Sequence, residues 1–357
     1  MSEHPIVAAL KRPQALQRLS SREWEWLIGH ARAAQLLARL AVAIERANCF
    51  DEIPPGPRRH LDWARRQWLA QRRTLPWDVD IIGSALAGID TPIVLLKGTA
   101  YQMAGLPPAA GRTYTDIDIM VRRDRLDAVE AALGQHGWAS DKVDAYDQHY
   151  YRTWMHELPP LHHVFRHTVL DVHHTIAPPT ARHRVEAAPL FAAARKLELR
   201  GNFYVLGPTD MVLHSITHLV QEGEFEHGLR DLMDVGDLLG HFGREPAFWP
   251  DLLARAERHG LGRPLYYAAH QARNFLGTEF PPDFAAAIER FRPDGLTRRV
   301  MAAVLSAGLA GEERHGAGGF ARFCRWLLYV RGHYLRMPLR LLIPHLVRKS
   351  FRRGAEA

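Results

Sequence analysis

Apolar positions fall roughly at three- and four-residue steps from Leu16 to Leu40, through Leu19, Trp24, Leu27, Ala31, Leu36 and Leu37. This spacing predicts helix over residues 13 to 50. Ser20 and Ser21 ahead of Glu23 offer a capping hydroxyl near Trp24. IPPGP at 53 to 57 ends the pattern, since proline cannot continue a helix. Two further helices are expected over 60 to 73 and 77 to 87. At Pro92 the period changes. Ile93-Val94-Leu95-Leu96 is a short buried-strand run, and residues 115 to 121 read as a second strand around the alternation Asp116-Ile117-Asp118-Ile119. A helix is expected over 125 to 135, then strands over 162 to 167 and 169 to 175. This order marks an α/β or α+β unit of about 90 residues. A hairpin over 196 to 206, turning at Arg200-Gly201-Asn202, interrupts the remaining pattern. That pattern is helical over 209 to 222, 229 to 240, 246 to 259 and 262 to 276, with another start at 281.

Composition narrows the class. Hydrophobic residues make up 47% and charged residues 24%, which is globular and excludes wholesale disorder. The chain lacks an apolar run long enough to cross a bilayer as a helix. The apolar stretch at the N-terminus is too short for a secretory leader, and two cysteines, Cys49 and Cys324, fit a reducing compartment. A cytoplasmic location is the expectation. Residues 322 to 353 hold nine Lys or Arg and no acid, whereas the whole chain has a net charge of +7, so the rest carries about −2. A basic tail on a near-neutral body suggests a local contact with an anionic membrane surface or RNA. The same residues also fit a terminal helix packed on the body.

Candidate chemistry centres on Asp116-Ile117-Asp118. Residues two apart on a strand share a face, so both carboxylates project together. Such a pair repels unless a cation intervenes, and hard carboxylate oxygens suit Mg²⁺. Upstream, Lys97-Gly98-Thr99 ends a strand and opens a helix. A glycine there lets backbone amides approach a phosphate, and Lys97 adds a mobile positive charge. Downstream, Asp171 in LDVHH is a third strand carboxylate, with His173 on the same face and His174 on the other.

The block IVLLKGTAYQ through GRTYTDIDIMVRRDRLDAVEAALGQHGW, followed by LDVHH, resembles the uncharacterised nucleotidyltransferase family of the polymerase-beta-like superfamily. The resemblance is specific over residues 93 to 174 and extends more weakly over 15 to 240. The superfamily's usual turn is Gly-Gly or Gly-Ser, whereas here it is Lys97-Gly98-Thr99. The resemblance implies an α+β fold, a small mixed-sheet palm over 91 to 185 flanked by helical regions over 1 to 90 and 186 to 357. It implies that Asp116 and Asp118 hold one or two Mg²⁺ or Mn²⁺ ions. Asp171 would complete the second site near the attacking hydroxyl, and Gly98 and Thr99 would cradle the outer phosphates of a nucleoside triphosphate. Arg112 either reaches that triphosphate or pairs with an acid. The implied reaction transfers a nucleoside monophosphate, with ATP among the candidate donors, to a sugar phosphate, peptide, protein or RNA. The alternative is a non-catalytic nucleotide- or RNA-binding module on the same fold.

Twenty-one histidines invite a zinc reading, but they lack an HExxH motif and read mainly as packing. His173 orients Asp171 or contacts the nucleotide. His214 and His218 share a helix face packed on the palm. From Arg230 to Asp237 acids recur at three-residue steps, forming a polar face toward the site or a solvated one.

Overall fold

A computed structural model describes residues 4–140, 145–166, 168–221, 225–310 and 319–344. The N-terminal helices are α1 (Pro5–Lys11), α2 (Ser21–Ala33), α3 (Leu37–Arg46) and α4 (Pro55–Ala85). Ser20 caps α2 in a reciprocal box, its side chain meeting the Glu23 amide while the Glu23 carboxylate accepts from the Ser20 amide at 2.8 Å. The single helix expected over 13 to 50 is broken. Gln35 adopts a left-handed φ of 54°, and the Leu36 amide reaches back to the Ala31 carbonyl at 2.7 Å. This closes α2, and α3 departs at 119° to it. The apolar period survives the break because both helices turn their leucines into one core.

Conversely, the two helices expected over 60 to 87 are one. Proline at 76 lacks the amide that would bond the Arg72 carbonyl. The Gln102 side-chain amide bonds that carbonyl instead, at 2.9 Å. A neighbouring segment therefore satisfies the group that would otherwise break α4.

The sheet contains β1 (Ile93–Leu95), β2 (Asp116–Met120), β3 (Trp138–Ser140), β4 (Leu161–His163), β5 (Val169–His173), β6 (Arg195–Lys196) and β7 (Phe203–Val205), in the order β3-β4-β5-β2-β1-β7-β6. It is mixed, with β2–β5 and β1–β7 parallel and the other pairs antiparallel. The fold is α+β, as expected. β3 lacked a readable alternation in sequence. The hairpin beyond residue 185 joins the same sheet, placing β7 beside β1, all three of whose residues are buried. Between the strands lie α5 (Lys97–Met103), α6 (Leu126–Gln135), α7 (Ala145–His149) and α8 (Ala187–Ala193).

The C-terminal half comprises α9 (Pro208–Gln221), α10 (Gly228–Phe242), α11 (Phe248–Arg258), α12 (Gly262–Gln271), α13 (Pro282–Ala287), α14 (Gly295–Leu309) and α15 (Gly319–Arg336). The nearly all-buried α9 is its hub, packed against α10, α11, α12 and α15. Among the described residues no single helix is long and apolar enough to cross a membrane.

Candidate active site

The parallel register of β2 and β5 sets Asp118 directly opposite Asp171, with Asp116 opposite Val169. Ile117 and Ile119 are buried, and alternation puts the three carboxylates on the other face. Antiparallel pairing with β1 brings the turn alongside, the Leu96 amide donating to the Asp118 carbonyl at 3.0 Å. Lys97, with a left-handed φ of 45°, then directs its ammonium onto Asp118 Oδ1 at 2.8 Å. His173 Nε2 meets the same oxygen at 3.0 Å. Lys97 thus sets a positive charge against Asp118, with the His173 ring nitrogen beside it.

These neighbours divide the acids. Asp118 is 3% exposed. Burial opposes its ionisation, yet Lys97 and His173 outweigh burial and hold its carboxyl well below the ordinary range. Asp171 has no such partner, and its Oδ1 is buried without a hydrogen bond among the described residues. Burial, then the charges of Asp118 and Glu157, push its pKa up to about 7. Burial opposes the charged form of His173 as well, but the hydrogen bond to Asp118 and the charge of Glu157 raise its pKa.

Glu157 arrives through an isolated antiparallel bridge to His173. The Leu158 amide bonds the Val172 carbonyl and the His174 amide bonds the His156 carbonyl, each flanking that pair. Glu157 Oε2 lies 3.3 Å from His173 Nδ1. His156, Glu157 and His173 offer ligand atoms all within 4.8 Å of one another, a nitrogen and oxygen cluster beside the carboxylates.

A cleft of about 270 Å³ opens beside Asp116 and Asp118, whereas Asp171, His173 and Glu157 are not among the residues that line it. Lys97, Gly98, Arg112, Asp116 and Asp118 line it, joined by Gln35, His218, His227, Arg230 and Asp231 from outside the palm. Of the turn residues, Thr99 does not present its side chain there. It is 1% exposed, and its hydroxyl has no hydrogen-bond partner among the described residues.

Gly98 has a second role. A Cβ at that position would lie 2.7 Å from Arg112 Nη1, so its bare backbone makes room for the guanidinium. Arg112 is buried, with its Nε on Asp234 Oδ2 at 2.6 Å. Arg39 approaches the same carboxylate at 3.6 Å and also pairs with Asp237. Asp231 pairs with Arg230 at 2.6 Å and lies 3.7 Å from His218 Nε2. The acids of α10 thus form an inward face beside the cleft. His214 is buried on α9, where burial, then the charge of Lys97, push its pKa down to about 3.

His218 had a signal in sequence, its four-residue spacing from His214, and Arg230 stood in the α10 acid pattern. Gln35, His227 and Glu157 had no local signal, because a helix break, a loop and an isolated bridge deliver them.

A paired-carboxylate strand, a third carboxylate in register and a basic turn thus lie on adjacent strands of one sheet. Residues 20–277 match the profile of a family described as uncharacterised nucleotidyltransferase, and the chain belongs to that family. A nucleoside triphosphate substrate is implied by this membership, and members typically use divalent metals. No curated protein and no solved structure matches the chain.

Proposed function

We propose that this protein transfers a nucleoside monophosphate from a nucleoside triphosphate to an acceptor hydroxyl or phosphate, in a reaction dependent on Mg²⁺ or Mn²⁺. The observation that carries the reading is Asp118 opposite Asp171 in register, the latter with a buried carboxylate oxygen left without a hydrogen bond. Buried charges of one sign at this spacing fit a divalent cation, and oxygen donors suit a hard one. Asp116, Asp118 and Asp171 would hold it. When bound, such an ion neutralises the phosphates and polarises the reacting phosphorus.

The chain's own groups do the rest. Lys97 lines the cleft and would meet the outer phosphates from its wall. Arg230 and His218 face the same space, and the Asp234 carboxylate fixes Arg112 against Gly98. An acceptor oxygen forms a bond to the α-phosphorus, the bond to the β-phosphate oxygen breaks, and pyrophosphate leaves with that electron pair. For a hydroxyl acceptor, Asp171 receives the hydrogen bond of the attacking group and solvent takes the proton.

Pyrophosphate release from each of the four nucleoside triphosphates, with and without divalent ion, tests the reading. One triphosphate should be turned over only with the ion and by neither Asp116→Ala nor Asp118→Ala. Ion-independent triphosphate binding without pyrophosphate release, in wild type and both variants alike, would indicate a binding module instead.

A further inference from the structure

Helix α15 buries one side and leaves the other uncovered. Cys324, Leu328 and Gly332 face inward, and the helix packs on α14 and α9. The Arg331 guanidinium donates to the Val220 carbonyl at 2.7 Å, and the Thr180 hydroxyl donates to the Arg336 carbonyl at 2.8 Å, so the helix is docked firmly. On the outer side, Phe320, Phe323, Trp326 and Val330 recur at three- and four-residue steps, with Tyr329 and Tyr334 beside them. Leu339 and Ile343 continue the exposed set past the end of the helix. Of the fourteen large apolar side chains exposed among the described residues, these are eight, so the patch is concentrated rather than scattered.

Charge decides what covers it. Arg322 and Arg340 are exposed on this segment, and Arg325 is half-buried beside the patch. Residues 322 to 353 contain nine Lys or Arg and no acid, of which Arg348, Lys349, Arg352 and Arg353 lie outside the described residues. A second copy docked symmetrically would set this positive charge against itself. A nucleic acid would leave the aliphatic positions Val330, Leu339 and Ile343 without a partner of their kind. An anionic bilayer meets both features, with aromatic and aliphatic groups entering the interface and guanidinium groups meeting lipid phosphates.

We propose that α15 and residues 337–344 form a peripheral docking surface for anionic phospholipid membranes. The helix lies in the plane of the interface with Phe320, Phe323 and Trp326 inserted, and the catalytic cleft stays on the body of the protein. The surface is independent of the nucleotidyl-transfer reading, so Asp116→Ala should bind membranes as wild type does.

Co-sedimentation of the full chain with phosphatidylcholine vesicles, with or without phosphatidylglycerol, tests this. The protein should sediment with the anionic vesicles, and partition at least tenfold less onto neutral ones. Phe323→Glu/Trp326→Glu, at positions exposed in the folded chain, should lower anionic partitioning at least tenfold with an unchanged circular dichroism spectrum. Arg322→Glu/Arg340→Glu should weaken it as well, and more strongly at low salt than at high. Equal partitioning of wild type and the Phe323/Trp326 variant overturns the proposal. So does failure to sediment with anionic vesicles, whether accompanied by tight binding of a homopolymeric RNA or by a dimer that the same variant dissociates.

Discussion

Asp118 and Asp171 sit opposite each other on neighbouring strands, yet of the two only Asp118 has Lys97 and His173 within hydrogen-bond reach. The consequences differ for each residue. A carboxyl raised to about 7 binds, in the folded protein, a proton that the unfolded chain has already released at lower pH. Its contribution to stability is therefore complete below the unfolded pKa and is lost as pH rises through about 7. His173, also raised, runs in the same direction. Without divalent ion, the thermal midpoint should fall between about pH 5.5 and pH 8, and Asp171→Asn should reduce that fall by about 2–4 °C. Calorimetry in chelator checks this, and an unchanged fall would contradict it. Asp118→Ala should cost about 1–3 kcal/mol in metal-free protein, because it leaves the buried His173 and the half-buried Lys97 without their carboxylate. Asp116→Ala should cost under about 0.5 kcal/mol, its carboxylate having only a weak local bond to Thr115. Denaturant titration separates the two. The Asp-Ile-Asp pair and Asp171 were legible as candidates in sequence. The Lys97–Asp118 pair was not, since it depends on the register of β1 against β2. For that reason the sequence spacing suggested repulsion within the Asp-Ile-Asp pair, whereas the unpaired buried carboxylate is Asp171.

At the scale of elements, the long α4 positions the acid strand. Gln71 on α4 donates to the Tyr114 carbonyl at 2.9 Å, and the Tyr114 hydroxyl donates back to the Gln71 carbonyl at 3.0 Å, two residues ahead of Asp116. The continuity of α4 through Pro76 depends on Gln102, which takes up the orphaned Arg72 carbonyl. Gln102→Ala should cost about 1–2 kcal/mol, and Pro76→Ala should recover most of that in the double variant by restoring the helical bond. A denaturant double-mutant cycle reads the coupling, and additive costs would mean the carbonyl is satisfied some other way. Periodicity revealed most helices and the central strands, since each carries its own apolar stripe. It divided α4 because a proline's effect depends on a partner from another element. It fused α2 and α3 because the left-handed turn at Gln35 carries no glycine to mark it.

At the scale of the molecule, three stretches of chain meet at one cleft: the palm, the break between α2 and α3 at Gln35, and the α9–α10 region. Buried ion pairs join them, with Arg112 from the palm and Arg39 from α3 converging on Asp234 of α10. Asp234→Ala should cost about 3–5 kcal/mol because it leaves the Arg112 guanidinium without its carboxylate, Arg112→Ala should cost less because Arg39 still approaches Asp234, and the double variant should cost less than the sum. Calorimetry on the three variants checks that. The class of fold and its three carboxylates could be read from local pattern. The far wall of the cleft could not, because Gln35 and Arg230 lie far from the palm motifs in sequence and meet them only through packing. The account depends most on Asp116, Asp118 and Asp171 acting as one site for a divalent ion and a triphosphate. The most direct test is electron paramagnetic resonance of Mn²⁺ titrated into the protein with a nonhydrolysable nucleoside triphosphate. Wild type should immobilise Mn²⁺ together with the nucleotide, and alanine at any one of the three positions should weaken that binding at least tenfold. Unchanged Mn²⁺–nucleotide binding in all three variants would contradict the account.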